Sequence, residues 1–218
     1  MKITRTSETT EQLMNPAAGI WDGLESRLFY MAPTPLNGNP AIKDISPFLE
    51  KSTDHGNIRE LSVAGVHNGN SLALRLSWPS EKHDEIIDLD QFVDGVAVMF
   101  PLTPNASAVT MGSKGNPVNA WYWKANLDGV AFEVLAEGYG TSARQHGEGK
   151  SQIVSGAVHR EGRWYVVLSR PMDIGSERAR FTPGTPAKMA FCVWDGGNRE
   201  RSGRKSFSGD FVDVALDS

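Results

Sequence analysis

The sequence predicts an all-β fold, an antiparallel β-sandwich with a few short helical turns. Three observations predict it: apolar residues recur with period two in many short runs, turn formers separate those runs, and helical periodicity is confined to fragments. The chain carries 22 Gly and 12 Pro in 218 residues. Leu72, Leu74, Leu76 and Trp78 alternate with Ala73, Arg75 and Ser77, the pattern of a half-buried strand. Phe92 to Phe100 reads as a second strand, broken at Asp94-Gly95. Val118 to Lys124 and Phe132 to Leu135 follow. Val154 to His159 and Trp164 to Arg170 flank Arg160-Glu-Gly-Arg163, a hairpin turn. Lys188 to Trp194 and Asp210 to Leu216 complete the set. Ser46-Pro-Phe-Leu-Glu50 predicts one helical turn, with Ser46 as N-cap and Pro47 in the first position. Asp84 to Asp90 is a second short helical segment. No repeat or linker divides the chain, so residues 1–218 are read as a single domain. Its polar first fifteen or so residues are expected to form a peripheral or partner-bound arm.

The totals exclude several classes of function. A net charge of −4 provides no broad basic field for nucleic acid. No apolar run is long enough to span a membrane as a helix, and the N-terminus lacks an apolar signal core. On those residues alone the chain would stay in the cytoplasm. Its one cysteine, Cys192, reads as a small core residue in Met189-Ala-Phe-Cys-Val-Trp194. Neither an internal disulfide nor a thiolate metal cluster is available to it, and no Cys-x-x-Cys-His motif tethers a haem.

Nucleophilic and phosphoryl-transfer chemistry have no support, because neither a Gly-x-Ser-x-Gly elbow nor a P-loop occurs. The histidines His55, His67, His83, His146 and His159 lack metal-site spacing. His67 and His83 read as solvated loop residues. Asp94 reads as a turn residue, with a general acid as the alternative. Two glycine-rich loops beside aromatic strands stand out: Met111-Gly-Ser-Lys-Gly-Asn-Pro-Val-Asn-Ala-Trp-Tyr-Trp-Lys124 and Trp194-Asp-Gly-Gly-Asn-Arg-Glu-Arg-Ser-Gly-Arg-Lys-Ser206. The first offers the Met111 thioether and the second the Lys205 amine, and together they suit a buried cofactor gripped from two sides.

These two segments resemble the γ subunit, a b-type cytochrome, of ethylbenzene dehydrogenase and its relatives. Those relatives include dimethylsulfide dehydrogenase, selenate and chlorate reductases and steroid C25 dehydrogenase. Ser46-Pro-Phe, Val66-His-Asn-Gly69, Phe92-Val-Asp-Gly-Val96, Met99-Phe-Pro101 and Lys205-Ser-Phe-Ser-Gly-Asp-Phe-Val-Asp213 extend the likeness over roughly residues 20 to 216. The segment from about 138 to 152 is unlike the family. The resemblance implies one haem b per chain, held by Met111 and Lys205 as axial ligands, and no metal outside the haem. It implies a molybdenum-cofactor catalytic α subunit and an iron–sulfur β subunit as partners in a heterotrimer. Electrons would pass through this chain to an external carrier, with no catalytic site on the chain itself. Periplasmic residence, by export with the partner subunits, is also implied only by resemblance.

Two neutral donors suit an electron-transfer iron with no open position. Lys205 would have to bind as the free amine, its proton displaced by the metal. Trp121, Trp123 and Trp194 are candidate walls for the macrocycle. Arg199, Arg201, Arg204 and Lys124 are candidate partners for its propionates, and Asn119 and Asn198 would contact it or tie the loops together. A carbohydrate-binding β-sandwich, presenting exposed Trp and Asn, is the alternative from another class. A β-sandwich hydrolase built on Asp94 is a third.

Overall fold

The computed structural model describes residues 1–89, 91–127, 129–145 and 152–218. Its strands are β1 (Lys2–Arg5), β2 (Arg27–Tyr30), β3 (Ala32–Pro33), β4 (Glu60–His67), β5 (Ser71–Pro79), β6 (Gly95–Pro101) and β7 (Val118–Lys124). They continue with β8 (Ala131–Ala136), β9 (Ala143–Arg144), β10 (Val154–Arg160), β11 (Arg163–Pro171), β12 (Pro186–Trp194), β13 (Ser206–Phe207) and β14 (Val212–Leu216). The helices are single turns or little more: α1 (Thr10–Leu13), α2 (Gly19–Asp22), α3 (Pro40–Ile45) and α4 (Pro47–Glu50). Ser46 caps α4 by accepting from the Leu49 N–H, with Pro47 in the first position, as the sequence predicts.

Hydrogen bonding links the strands in the order β10-β11-β5-β4-β1-β14-β12-β6-β7-β8-β9. The path folds into two layers that do not close into a barrel. One layer holds β10, β11, β5 and β4, with β2 added beside β4. The other holds β12, β6, β7, β8 and β9. Between them lies one core, to which Leu74 and Trp78 of β5, Trp164 of β11, Val98 of β6, Trp123 of β7 and Phe191 of β12 all contribute. Rings from opposite layers meet there: Trp78 and Trp123 lie 6.2 Å apart, and Phe29 and Phe191 4.6 Å apart. Burying each such side chain contributes about 1.5–3 kcal/mol, so this interface dominates the fold's stability.

The N-terminal arm is a correction. Residues 2–5 form a strand inside the sheet, parallel to both β14 and β4, with Ile3 fully buried. The sheet is therefore mixed at its hinge between layers, and antiparallel elsewhere. After β1, Leu13 and Trp21 cover the outer face of β4, β5 and β11, packing on Ala64, Val66, Ala73 and Val167. The arm reads as polar because β1 buries only every other residue and α1 presents one apolar side chain. Its covering role also explains why β4 escaped the period-two search: buried on both faces, it has no polar alternation.

His67 is a second correction. It closes β4, is fully buried, and its Nε2 donates to the Asp217 carbonyl at 3.0 Å. His83 is exposed, stacked on His159 with ring centroids 4.9 Å apart. Residues 84–89 form no helix, and Asp90, like His146, lies outside the described residues.

Candidate functional site

Strands β12, β6, β7 and β8 have two faces of opposite character. Their register aligns Lys124, Gly95 and Trp194 in one row, Tyr122, Ala97 and Cys192 in the next, and Ala120, Met99 and Ala190 in a third. Successive side chains alternate faces. One face therefore carries the bulky Val96, Val98, Phe100, Trp121, Trp123, Phe191 and Val193 into the sandwich core. The other carries Ala97, Met99, Ala120 and Cys192 into a separate apolar cluster. Small residues on that second face leave room above it, and helices α3 and α4 with the flanking loops roof the space. The result is a cavity of about 550 Å³, within the range of roughly 300–1,000 Å³ found for small-molecule and cofactor sites.

Met111 and Lys205 meet inside this cavity. The Met111 sulfur lies 4.0 Å from Lys205 Nζ. Met111 sits in the left-handed region at φ 57°, unusual for a residue with a side chain. Gly112 follows at φ 82°, where a Cβ would come within 2.6 Å of the Asn116 carbonyl. The Asp210 carboxylate accepts from the Ala108 N–H, and the Tyr139 hydroxyl donates to the Val109 carbonyl, so the Met111 turn is anchored from two sides.

The lysine loop is held as firmly. The N–H and hydroxyl of Thr34 both donate to the Lys205 carbonyl, at 3.0 and 2.8 Å, while His55 Nε2 donates to the Thr34 carbonyl. Glu200, buried in the wall, accepts from the N–H groups of Gly56, Asn57 and Asp195. Arg204 turns away from the cavity to Ser52 and Asp54, and Trp194 Nε1 donates to the Ser202 carbonyl. With the backbone fixed, Lys205 is only 5% exposed. Its amine faces the Met111 sulfur and the Trp194 ring, 5.4 Å away. Among the described residues it has no carboxylate partner.

A buried ammonium without a counter-charge is costly. An amine that gives up its proton to a metal would, opposite a thioether, complete a donor pair for one ion. The amine and the sulfur lie 4.0 Å apart and face each other in the cavity, so Met111 and Lys205 are the residues that would hold a metal centre there. The polar groups of the floor, Tyr122 and Cys192, are held in their uncharged forms. Burial pushes the Tyr122 phenol up to about 12 and raises the Cys192 thiol. The donor set and the apolar plate below it therefore fit a haem.

Of the residues expected to line the site, Met111, Lys205, Trp194, Arg201 and Lys124 do so. Asn119, Trp121 and Trp123 do not: as odd-numbered members of β7 they face the sandwich core. Asn119 there accepts from the Ala179 N–H and from Arg170, and donates to the Val134 carbonyl. Arg204 serves the loop beneath the site, and Asn198 ties its loop to Asp54. Arg199 is not among the cavity's lining residues. Sequence reading missed Arg144, Tyr122, Cys192 and the alanine floor. The signal was present in the size alternation along β6, β7 and β12.

Asp94 is not a turn residue. It is fully buried and accepts from Trp164 Nε1, Ser80 Oγ and the Gly196 N–H, with burial raising its carboxyl above the ordinary range. It thereby anchors the start of the lysine loop.

The Arg204 guanidinium beside Asp54 holds that exposed carboxyl below its ordinary value of 3.8. A depressed value adds stability that is present above 3.8 and lost as pH falls through the folded value. Asp54→Asn is thus expected to lower the Tm slightly at pH 7. Melts at a series of pH values should show the gap from wild type closing below the ordinary carboxylate range.

Comparison with known proteins identifies the family. The family described as ethylbenzene dehydrogenase matches residues 18–156 and 146–206. A protein of Haloferax mediterranei, provisionally named as a respiratory nitrate reductase heme subunit, is 35% identical over 91% of this chain and 67% of its own length. The chlorate reductase subunit gamma of Ideonella dechloratans is 35% identical over 68% of this chain and 61% of its own length. The dimethylsulfide dehydrogenase subunit gamma of Rhodovulum sulfidophilum is 31% identical over 71% of this chain and 59% of its own length. The chain thus spans about three-fifths to two-thirds of these relatives. Among solved structures, one provisionally described as a carbohydrate-binding protein from Bacteroides uniformis matches all of this chain and 98% of its own, with a TM-score of 0.55 at 10% identity. That likeness is one of fold alone. The long sequence matches decide the classification: this chain belongs to the ethylbenzene dehydrogenase family, among the gamma and haem subunits of its oxidoreductases.

Proposed function

We propose that the chain is the haem b electron-transfer subunit of a multi-subunit molybdenum dehydrogenase of the ethylbenzene dehydrogenase type. It would relay electrons from an iron–sulfur β subunit, fed by a molybdenum-cofactor α subunit that oxidises a hydrocarbon side chain, to an external acceptor. The observation that carries the reading is a buried lysine amine, without a counter-ion among the described residues, facing a methionine sulfur across an apolar cavity. Residence in the periplasm, by export with the partner subunits, belongs to the same proposal.

When bound, haem b supplies a one-electron iron couple. The chain supplies the rest. Met111 offers a soft sulfur that favours the reduced metal. Lys205 offers a neutral nitrogen, so the protein adds no negative charge that would stabilise the oxidised form. The alanine-rich floor and the roof of α3 and α4 exclude water, which keeps reorganisation small. Because the Met111 and Lys205 loops are tied to their neighbours by backbone hydrogen bonds, and the lysine loop also to Gly56 and Asn57 through the Glu200 carboxylate, the donors would stay in place between redox states.

The visible spectrum of the purified or haem-reconstituted chain tests this. A Soret band with sharp α and β bands on reduction is expected. A colourless protein that cannot be reconstituted with haem would overturn the reading.

A further inference from the structure

Part of the cavity's exposed rim is basic, unlike its apolar floor. Lys124, Arg144 and Arg201 line the mouth, Lys124 partly exposed and both arginines exposed. They converge on the same end of the floor. Lys124 stands in the row of Gly95 and Trp194. Arg201 lies over the Phe92 ring at 4.4 Å, three residues before Gly95. Arg144 lies over the Phe132 ring at 4.2 Å, and Phe132 pairs with Tyr122, two residues before Lys124. Arg144 is near enough that its charge, after burial, is the second cause holding the Lys124 ammonium below its ordinary value.

None of the three forms an ion pair among the described residues, although carboxylates outnumber cations 26 to 22 in the chain. Elsewhere Lys2, Arg75, Arg163, Arg170, Arg180 and Lys188 each have a carboxylate within 3.4 Å. Among the described residues the one acidic side chain of the cavity wall, Glu200, spends both oxygens on N–H donors of the loops. Two arginines thus lie over rings beside a half-buried lysine, and none of the three has a carboxylate partner among the described residues.

We propose that Lys124, Arg144 and Arg201 form the subsite for the two carboxylates of the cofactor, and so set the macrocycle's orientation with its propionates outward. The inference rests on the haem reading but is separable from it. The body of the ligand is held by the apolar floor and the two axial donors. Its carboxylates are held by the rim. Charge-assisted contacts of this kind are stronger than neutral ones, and at an exposed rim they weaken with salt.

The test titrates the full-length apo chain with iron protoporphyrin IX and with its dimethyl ester, which keeps the iron and the macrocycle but lacks the charges. The wild type is expected to prefer the diacid by about tenfold or more, and the preference should shrink between low and high salt. In Lys124→Met/Arg144→Met/Arg201→Met the preference is expected to vanish, with ester affinity and the low-spin spectrum retained. Equal binding of diacid and ester by the wild type would overturn the subsite while leaving the haem reading intact. A salt-independent preference would overturn it too, without any variant having to fold. If the triple variant lost affinity for both ligands alike, the three residues would be structural and the subsite would again fall. Failure of the wild type to bind either ligand would sink the haem reading itself.

Discussion

Replacing Lys205 with alanine is expected to abolish the low-spin haem spectrum and leave a five-coordinate, high-spin species. Affinity should fall by at least the roughly 10–100-fold that the loss of outer-shell partners costs a metal site. The stability of the apo chain should move the other way. In the wild type, folding buries the amine against Met111 and Trp194 with no carboxylate partner among the described residues. Removing it relieves a desolvation cost, so apo Lys205→Ala should melt no lower than the wild type, and Lys205→Met higher. A lysine kept for structural reasons would give the opposite pair of results. Met111→Ala should also lose the low-spin spectrum. His67→Ala should keep it, because His67 is bonded to the Asp217 carbonyl in β4 and does not line the cavity. A low-spin spectrum surviving in Lys205→Ala but lost in His67→Ala would refute the ligand assignment.

Breaking the Arg170–Glu133 pair should have the largest effect on stability. Both side chains are fully buried on the core face of β11 and β8. Arg170 also donates to the Ala179 carbonyl and lies 5.1 Å over the Trp121 ring, while Arg178 lies 3.5 Å from the second Glu133 oxygen. Burial pushes the Arg170 guanidinium below its ordinary value, and Glu133 works against that. Removing one member strands a charge, at about 3–5 kcal/mol. For a chain of this size that lowers the Tm by roughly 6–20 °C. Glu133→Leu and Arg170→Met should each show such a drop in thermal denaturation. The double variant should lose less than either, because neither Arg170 nor Glu133 is left facing an empty partner position. A double variant as unstable as the sum of the singles would show that the pair is not coupled.

These two predictions concern opposite faces of one strand layer, and sequence reading confused those faces. Trp121 and Trp123 are conspicuous because they are large, which draws them toward a cofactor in a one-dimensional reading. Large side chains go where the space between layers demands volume, and here that space is the sandwich core. A cavity needs small side chains, and Ala97, Ala120, Ala190 and Cys192 carry no obvious signal one at a time. Their alternation with Val98, Trp121, Phe191 and Val193 was legible, but its sign, which face is core, depends on what packs across each face. Asp94 and His67 misled for a related reason. A polar residue beside glycine is usually a turn, and only the partners brought from Ser80, Trp164, Gly196 and Asp217 make burial tolerable.

By itself the sequence determined the fold class, most strand positions, the capped turn at Ser46 and the two loops that hold Met111 and Lys205, because period-two alternation, caps and glycine-rich turns are local properties of the chain. Only the tertiary structure decided that the N-terminal residues form the strand joining the layers. It alone separated the core-facing tryptophans from the cavity and brought Arg144 to the mouth beside Lys124 and Arg201. Each of these depends on contacts between residues far apart in the chain, and no local pattern encodes which distant surface a given face will meet.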